Sequence, residues 1–469
     1  MTRMQSLPDP APTFQAVADF ALTTRFEDIP KPVTDFAALL LLDLVGVAAA
    51  ATPLPAGRIA RDHAAHFWAP GAGAPAAHLL FDGRPVSPPG AAFALATQID
   101  NLDAHDGYQP SKGHAGAALL PALIALAPEE LSGRAALAAL VVGYEVAYRA
   151  AVALHATTAD YHTSGAWNAL GCVAIAARLI GLDRSALRHA FGIAEFHGPR
   201  SQMMREIANP TMLHDGTGWG APVGVASALL AAGGFTGAPA ALVEFDDAAS
   251  VWGDLGSAWL TPQQYIKPYP ICRWAHAPID AALALRADHG LTADRIAAVE
   301  IAAFREATEL YNGVPGDTAR AQYSLAWPVA AALARGRVGV AEITDPGLGD
   351  AEIARLVGAT TVHIDANCDT TFPAKRRGRI ALVLTDGQRL DSGLVEASGG
   401  PDPQPDAATV IAKYRRFAEP VLGRTRAAVL ETAILNAGLP GADFSALLAA
   451  LQAPVLVDPL ETELVHAGR

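Results

Sequence analysis

Cysteine is scarce: the chain of 469 residues has three, Cys172, Cys272 and Cys368. Their wide separation excludes a disulfide framework and a CxxC metal site. A reducing compartment fits, and the protein is expected to be cytoplasmic. Charge is sparse as well, at 17% of residues, and the positive sign is the scarcer one: 34 Lys plus Arg stand against 47 Asp plus Glu, a net charge of −13. That balance excludes a nucleic-acid partner held by bulk electrostatics, so an anionic ligand needs cations gathered locally. Long uninterrupted apolar runs are also missing. The longest, Phe36 to Ala51, contains Asp43 and is short for a membrane span, so a buried helix and no membrane partner are expected. Met1 to Phe14 carries Pro8, Pro10 and Pro12 and no continuous apolar stretch, so no signal peptide is expected.

What the chain does have is apolar bulk, 51% of residues, enough for a large core spread over two domains. From about Val17 to Ala232, Ala- and Leu-rich segments at helical spacing predict an all-α region. Thr34 or Asp35 is placed to cap the Phe36 helix, and Ser132 a long helix running to about Leu154. A further helix from Thr163 should end at Gly181, the residue type that stops helices in the left-handed conformation. After Pro268 the pattern changes. Arg295 to Ala303, Thr360 to Asp365 and two segments around Asp386-Gly387 predict strands, with helices at Ala277 to His289 and Pro328 to Ala334. The expected fold is mainly α: a large all-helical domain over 1–268 plus 401–469, with an inserted α+β lid domain at 269–400. The last helical stretch should pack back on the first domain.

Polar residues capable of chemistry are clustered. Asp100 to His114 (DNLDAHDGYQPSKGH) packs three aspartates, His105, Lys112 and His114 between apolar helices. His114 precedes a helix apolar enough to be buried, where free N–H groups and the helix dipole favour a neutral imidazole and an anionic ligand. His162, in YHTSGAW, repeats that placement, and His214 precedes the Gly-rich segment DGTGWGA. One such histidine alone is more often an ordinary capping or packing residue. Arg200 and Arg205 can clamp a carboxylate. Lys267 and Arg273, in YIKPYPICRWAH, fall at the domain boundary, where ligand sites are common; a rigid hinge is the alternative.

Together these segments, with DLVGVAAA from Asp43, GYEVAYR from Gly143 and YSLAWPVAAAL from Tyr323, resemble the MmgE/PrpD family along nearly the whole chain. That family includes 2-methylcitrate dehydratase, cis-aconitate decarboxylase and iminodisuccinate epimerase. The resemblance implies a homodimer and a catalytic set of Asp103, His114, His162, His214 and Lys267, with Arg200, Arg273, Trp327, His105 and Lys112 around the substrate. Four positions depart from the family pattern. His105 and Gly107 stand where many members have aspartate and threonine, Thr211 where many have lysine, and Trp327 in place of a site tyrosine.

The function this implies is a cofactor-independent lyase, dehydratase-like, that moves a proton beside a carboxylate in a small di- or tricarboxylic acid. Such a reaction needs a base and a cationic environment for the enediolate-like anion that forms. Epimerisation or decarboxylation would use the same chemistry, and a non-catalytic carboxylate-binding dimer is the reading from another class. Three scattered cysteines do not supply an iron–sulfur hydratase, and no metal is expected, although Asp103, His105, Asp106 and His114 have the donor types for one.

Overall fold

Alanine and glycine let helices approach closely, and the helical body is built on that. At Gly171 an added Cβ would lie 2.6 Å from the carbonyl oxygen of Gly143, so the helices Gly133–Thr157 and Gly165–Ile180 touch backbone to backbone. The computed structural model describes residues 9–455. The outer limits of the expected helical domain, 1–8 and 456–469, lie outside these, as does most of the segment read for a signal peptide.

The chain is mainly α, as expected. Lys31–Ala51, Gly116–Leu126 and Thr217–Ala232 pack around the two touching helices, and Pro88–Asp100 packs on the last two of these. The Lys31–Ala51 helix has 21 residues, five more than expected at its start: it begins after Pro30 with a proline in its first turn, and neither Thr34 nor Asp35 caps it. Proline supplies a pre-formed helical φ there. This helix and Gly133–Thr157 are long and apolar enough to cross a membrane, yet their apolar windows are 89% and 94% buried within the protein. Ser132 caps as expected, its Oγ accepting from the Ala135 N–H, and Gly181 ends its helix at φ +70°.

Beyond Pro268 lies a sheet in the order Thr360–Ile364, Ile296–Ala303, Arg377–Leu384, Arg389–Asp391. The first pair is parallel and the others antiparallel, with Gly387 at φ +87° in the expected hairpin. The helix His276–Asp288 packs on this sheet and against Ala326–Arg335. The chain then returns to the helical body: Ala407–Leu422 lies along Lys31–Ala51. Lys413 joins them, its Nζ 2.6 Å from Asp43 Oδ1 and donating to the Ala104 carbonyl at 2.6 Å.

Removing one partner of a buried ion pair strands the other charge. Lys413→Met should therefore destabilise by about 3–5 kcal/mol in urea unfolding, while Lys413→Met with Asp43→Leu recovers most of it. Equal losses in both variants would show that the pair does not hold this helix.

Candidate active site

The Asp100–His114 loop and the Tyr265–His276 segment are stitched together by two backbone hydrogen bonds. Gly107 N–H donates to the Tyr265 carbonyl at 3.1 Å, and Tyr265 N–H to that of Gly107 at 2.8 Å. The close approach requires glycine, because a Cβ at Gly107 would overlap the Tyr265 hydroxyl. Lys267 lies two residues beyond Tyr265, and side chains two apart on an extended segment share a face. Its fully buried ammonium donates to the carboxylate of Asp103 and, at 3.1 Å, to the Asp103 carbonyl. Asp103 itself adopts φ +50°, a strained conformation for a non-glycine residue.

The pair borders a small cavity of about 20 Å³ lined also by Lys112, His114, Tyr161, Asp215, Tyr265 and Arg273, with Cys272, Tyr323 and Arg376. Four cationic side chains and two carboxyls meet there. It adjoins a vestibule of about 720 Å³, and Lys112, Tyr161 and Arg376 border both spaces. A separate cavity of about 730 Å³ has a mainly apolar surface, from Phe93, Trp219 and Met212, and is also bordered by Asp100, Arg205, Glu206 and His214. The cations converge on the small cavity, so the chemistry is assigned there.

Burial, reinforced by Lys267, holds the His114 imidazole well below its usual range, so it is neutral at pH 7. Its Nδ1 lies 2.6 Å from the Asp106 carbonyl oxygen and its Nε2 3.3 Å from Asp215 Oδ2. Its backbone N–H donates to Ser164 Oγ at 2.9 Å, so the Ser164 hydroxyl braces the His114 loop and makes no capping bond to its own helix. Burial is the largest influence on the Lys267 ammonium and opposes its charge, but Asp103, with Tyr265 and Cys272, raises the pKa overall. Arg273 is lowered to about 10 by burial and remains charged, donating to the carbonyls of Ser398 at 2.5 Å and Ala397 at 3.1 Å. Burial pushes the Cys272 thiol up to about 12, too high for a nucleophile at neutral pH.

Asp103, Lys112, His114, Lys267 and Arg273 thus come together. His105 stacks edge-on against His114 with ring centroids 4.6 Å apart, behind the cavity wall, and burial pushes it well below its usual range. Four further expected site residues lie elsewhere. His162 directs its Nδ1 at the Asp160 carbonyl, 2.9 Å away, and does not line the cavity. It pairs in a β-bridge with Gln202, and in that extended segment neighbours face opposite sides, so Tyr161 points inward instead. Arg200 is exposed and borders none of these cavities; Arg205 borders the apolar one. Trp327 is fully buried packing, its indole N–H donating to the Glu342 carbonyl at 2.9 Å, and the tyrosine at the cavity is Tyr323, in the turn that precedes the Ala326–Arg335 helix. His214 lies on the apolar side, edge-on to Tyr323 at 4.9 Å, and is driven to about 3 by burial and Lys267. Thr211 borders the same cavity.

Asp103, His105 and His114 offer donor atoms within 4.8 Å of one another, a separation a metal ion can use. Their partners fit an ion less well: Asp103 is neutralised by Lys267, and both ring nitrogens of His114 face oxygen. Asp106 is taken up by the hydroxyls of Tyr144 and Tyr148 at 2.8 and 3.2 Å.

Residues 15–251 match the MmgE/PrpD N-terminal domain and residues 269–438 the MmgE/PrpD C-terminal domain. The chain belongs to the MmgE/PrpD family. It is similar to cis-aconitate decarboxylase from Aspergillus terreus, with 22% identity across 94% of this chain and 96% of that protein. The same values relate it to cis-aconitate decarboxylase of Aspergillus terreus strain NIH 2624 / FGSC A1156.

Arg376 was not legible from the sequence, where it reads as the approach to a strand. It is 5% exposed, and its Nε and Nη1 have no hydrogen-bond partner among the described residues. A buried guanidinium with open donors on a cavity awaits an anion. Arg376→Gln should raise the KM or Kd for a carboxylate ligand roughly 10–100-fold, the equivalent of about 1.5–3 kcal/mol for a charged hydrogen bond. Unchanged ligand affinity by titration calorimetry would remove Arg376 from the binding surface.

Proposed function

We propose that this MmgE/PrpD member is a lyase acting on a small di- or tricarboxylic acid, by proton transfer beside a carboxylate and without a cofactor. The observation that carries this is the convergence of Lys112, Lys267, Arg273 and Arg376 around a neutral His114 in a small cavity. Cations inside a low-dielectric pocket bind carboxylates and stabilise the enediolate-like anion that forms when the adjacent carbon loses its proton or CO₂. A neutral imidazole is the form that accepts a proton, and such a group contributes ~10²–10⁴-fold. Lys267, paired with Asp103, supplies fixed positive charge at the cavity. The cavity is about the size of one water molecule, so a substrate needs Lys112, Tyr161 or Arg376, which divide it from the vestibule, to swing aside.

Dehydration and decarboxylation both fit this arrangement. The similarity over almost the full chain to proteins named cis-aconitate decarboxylase supports decarboxylation as the second reading. Epimerisation has less support, since His162 does not stand across the cavity from His114 as a second base.

Proton NMR in D₂O with methylcitrate, citrate, cis-aconitate, tartrate and iminodisuccinate tests the proposal: loss of water or CO₂ supports it, and exchange without net loss replaces it by epimerisation. Binding without any turnover would mark a non-catalytic carboxylate binder. His114→Gln should lower kcat at least about 100-fold, whereas His162→Ala should stay within about three-fold. Chelator treatment should leave turnover unchanged.

A further inference from the structure

His114 is held in a way that constrains where its proton can be. A carbonyl oxygen only accepts, so the 2.6 Å contact with the Asp106 carbonyl places the neutral ring's hydrogen on Nδ1. Nε2 is then a lone pair, and it faces Asp215 Oδ2 at 3.3 Å, both residues being more than nine-tenths buried. A carboxylate and a lone-pair nitrogen cannot face one another there without repulsion, unless a proton lies between them.

The carboxyl has been placed with care. Asp215 adopts φ +45°, its carbonyl accepts from Gly165 N–H at 2.8 Å, and its own N–H donates to both oxygens of Glu206 at 2.9 Å. Glu206 is in turn fixed by the Tyr323 hydroxyl at 2.5 Å. Strained backbone held by several independent bonds is a sign of a functional position.

We propose that Asp215 is a positioning residue that shares one proton with His114, so that the acid/base of this cavity is the pair, with Glu206 holding Asp215 in register. Its catalytic consequence rests on the lyase reading above; the shared proton does not. The pair takes up and releases that proton as a unit, because losing it leaves two lone pairs opposed. Burial, reinforced by Asp103, raises Asp215 to about 6, toward neutrality, against Lys267 and the hydrogen bonds from Ser164, which favour its charge. The groups facing His114 are His105, Tyr265, Lys267, Arg273 and Arg376. Those facing Asp215 are Asp103, Lys267, Asp100 and Glu206, with Tyr161, Cys272 and Tyr323 close by.

The test uses the intact protein with ¹⁵N-labelled histidine, His114 being identified by the signal lost in His114→Gln. In the wild type, long-range ¹H–¹⁵N spectra from about pH 5 to 9 should show His114 Nε2 displaced from the free lone-pair position by a hydrogen bond from the proton on Asp215, most strongly toward the acidic end. In Asp215→Asn, whose amide can donate but not release a proton, Nε2 should become a pure lone-pair nitrogen throughout. Identical Nε2 signals in the two proteins overturn the proposal. If Asp215→Asn does not fold, the wild type alone decides, because an Nε2 that is an unshared lone pair across the range refutes a shared proton. In kinetics, Asp215→Asn should shift the ionisation limb of kcat/KM assigned to the pair by about one pH unit or more, where a purely structural role would lower the rate equally at all pH. Should no acid be turned over, the lyase reading fails while the spectra still judge the pair.

Discussion

The buried ion pair between Lys267 and Asp103 is what the site depends on. It ties the segment leading into the sheet to a loop of the helical body, and it is the reason a lysine can stay charged with no exposure to water. Desolvation alone would drive the ammonium toward neutrality; the carboxylate beside it reverses the sign. Asp103 meets the ammonium with both its side chain and its carbonyl, which its left-handed backbone presents together. The charge is thereby fixed in place before any ligand arrives, the condition under which electrostatic stabilisation demands no reorganisation during reaction.

The overall charge of −13 and the cationic cavity are not in conflict. The acidic surplus lies over the whole chain, while the functional cations are drawn from the Asp100–His114 loop, the Tyr265–His276 segment and the approach to the Arg377–Leu384 strand. At 3 to 4 Å inside a poorly solvated pocket, nearby charges outweigh distant screened ones.

Helical periodicity and turn residues were enough to read the helical body, the sheet and the return of the chain to the first helices. Those features rest on local spacing and on apolar bulk. Positions along the chain were legible for the site as well, since Asp103, His114, Lys267 and Arg273 all come from segments singled out by their polarity. Facing was not. The segment around His162 is extended, so a shift of one residue decides which side chain enters the cavity, and Tyr161 does. Likewise Asp215, hidden beside His214, points to the opposite side of the Tyr323 wall, and Trp327 drew attention that belonged to Tyr323, in the turn before its helix. Arg376 carried no motif, because its role comes from a long-range approach that periodicity does not encode.

The Gly107–Tyr265 contact constrains its neighbours. The phenol occupies the room that a larger residue at 107 would claim, and Arg273 stacks on the same ring with its guanidinium carbon 4.5 Å from the centroid. Residue 107, the phenol and the guanidinium therefore form a linked set, and a side chain at 107 as large as threonine would require the ring and Arg273 to be rearranged together.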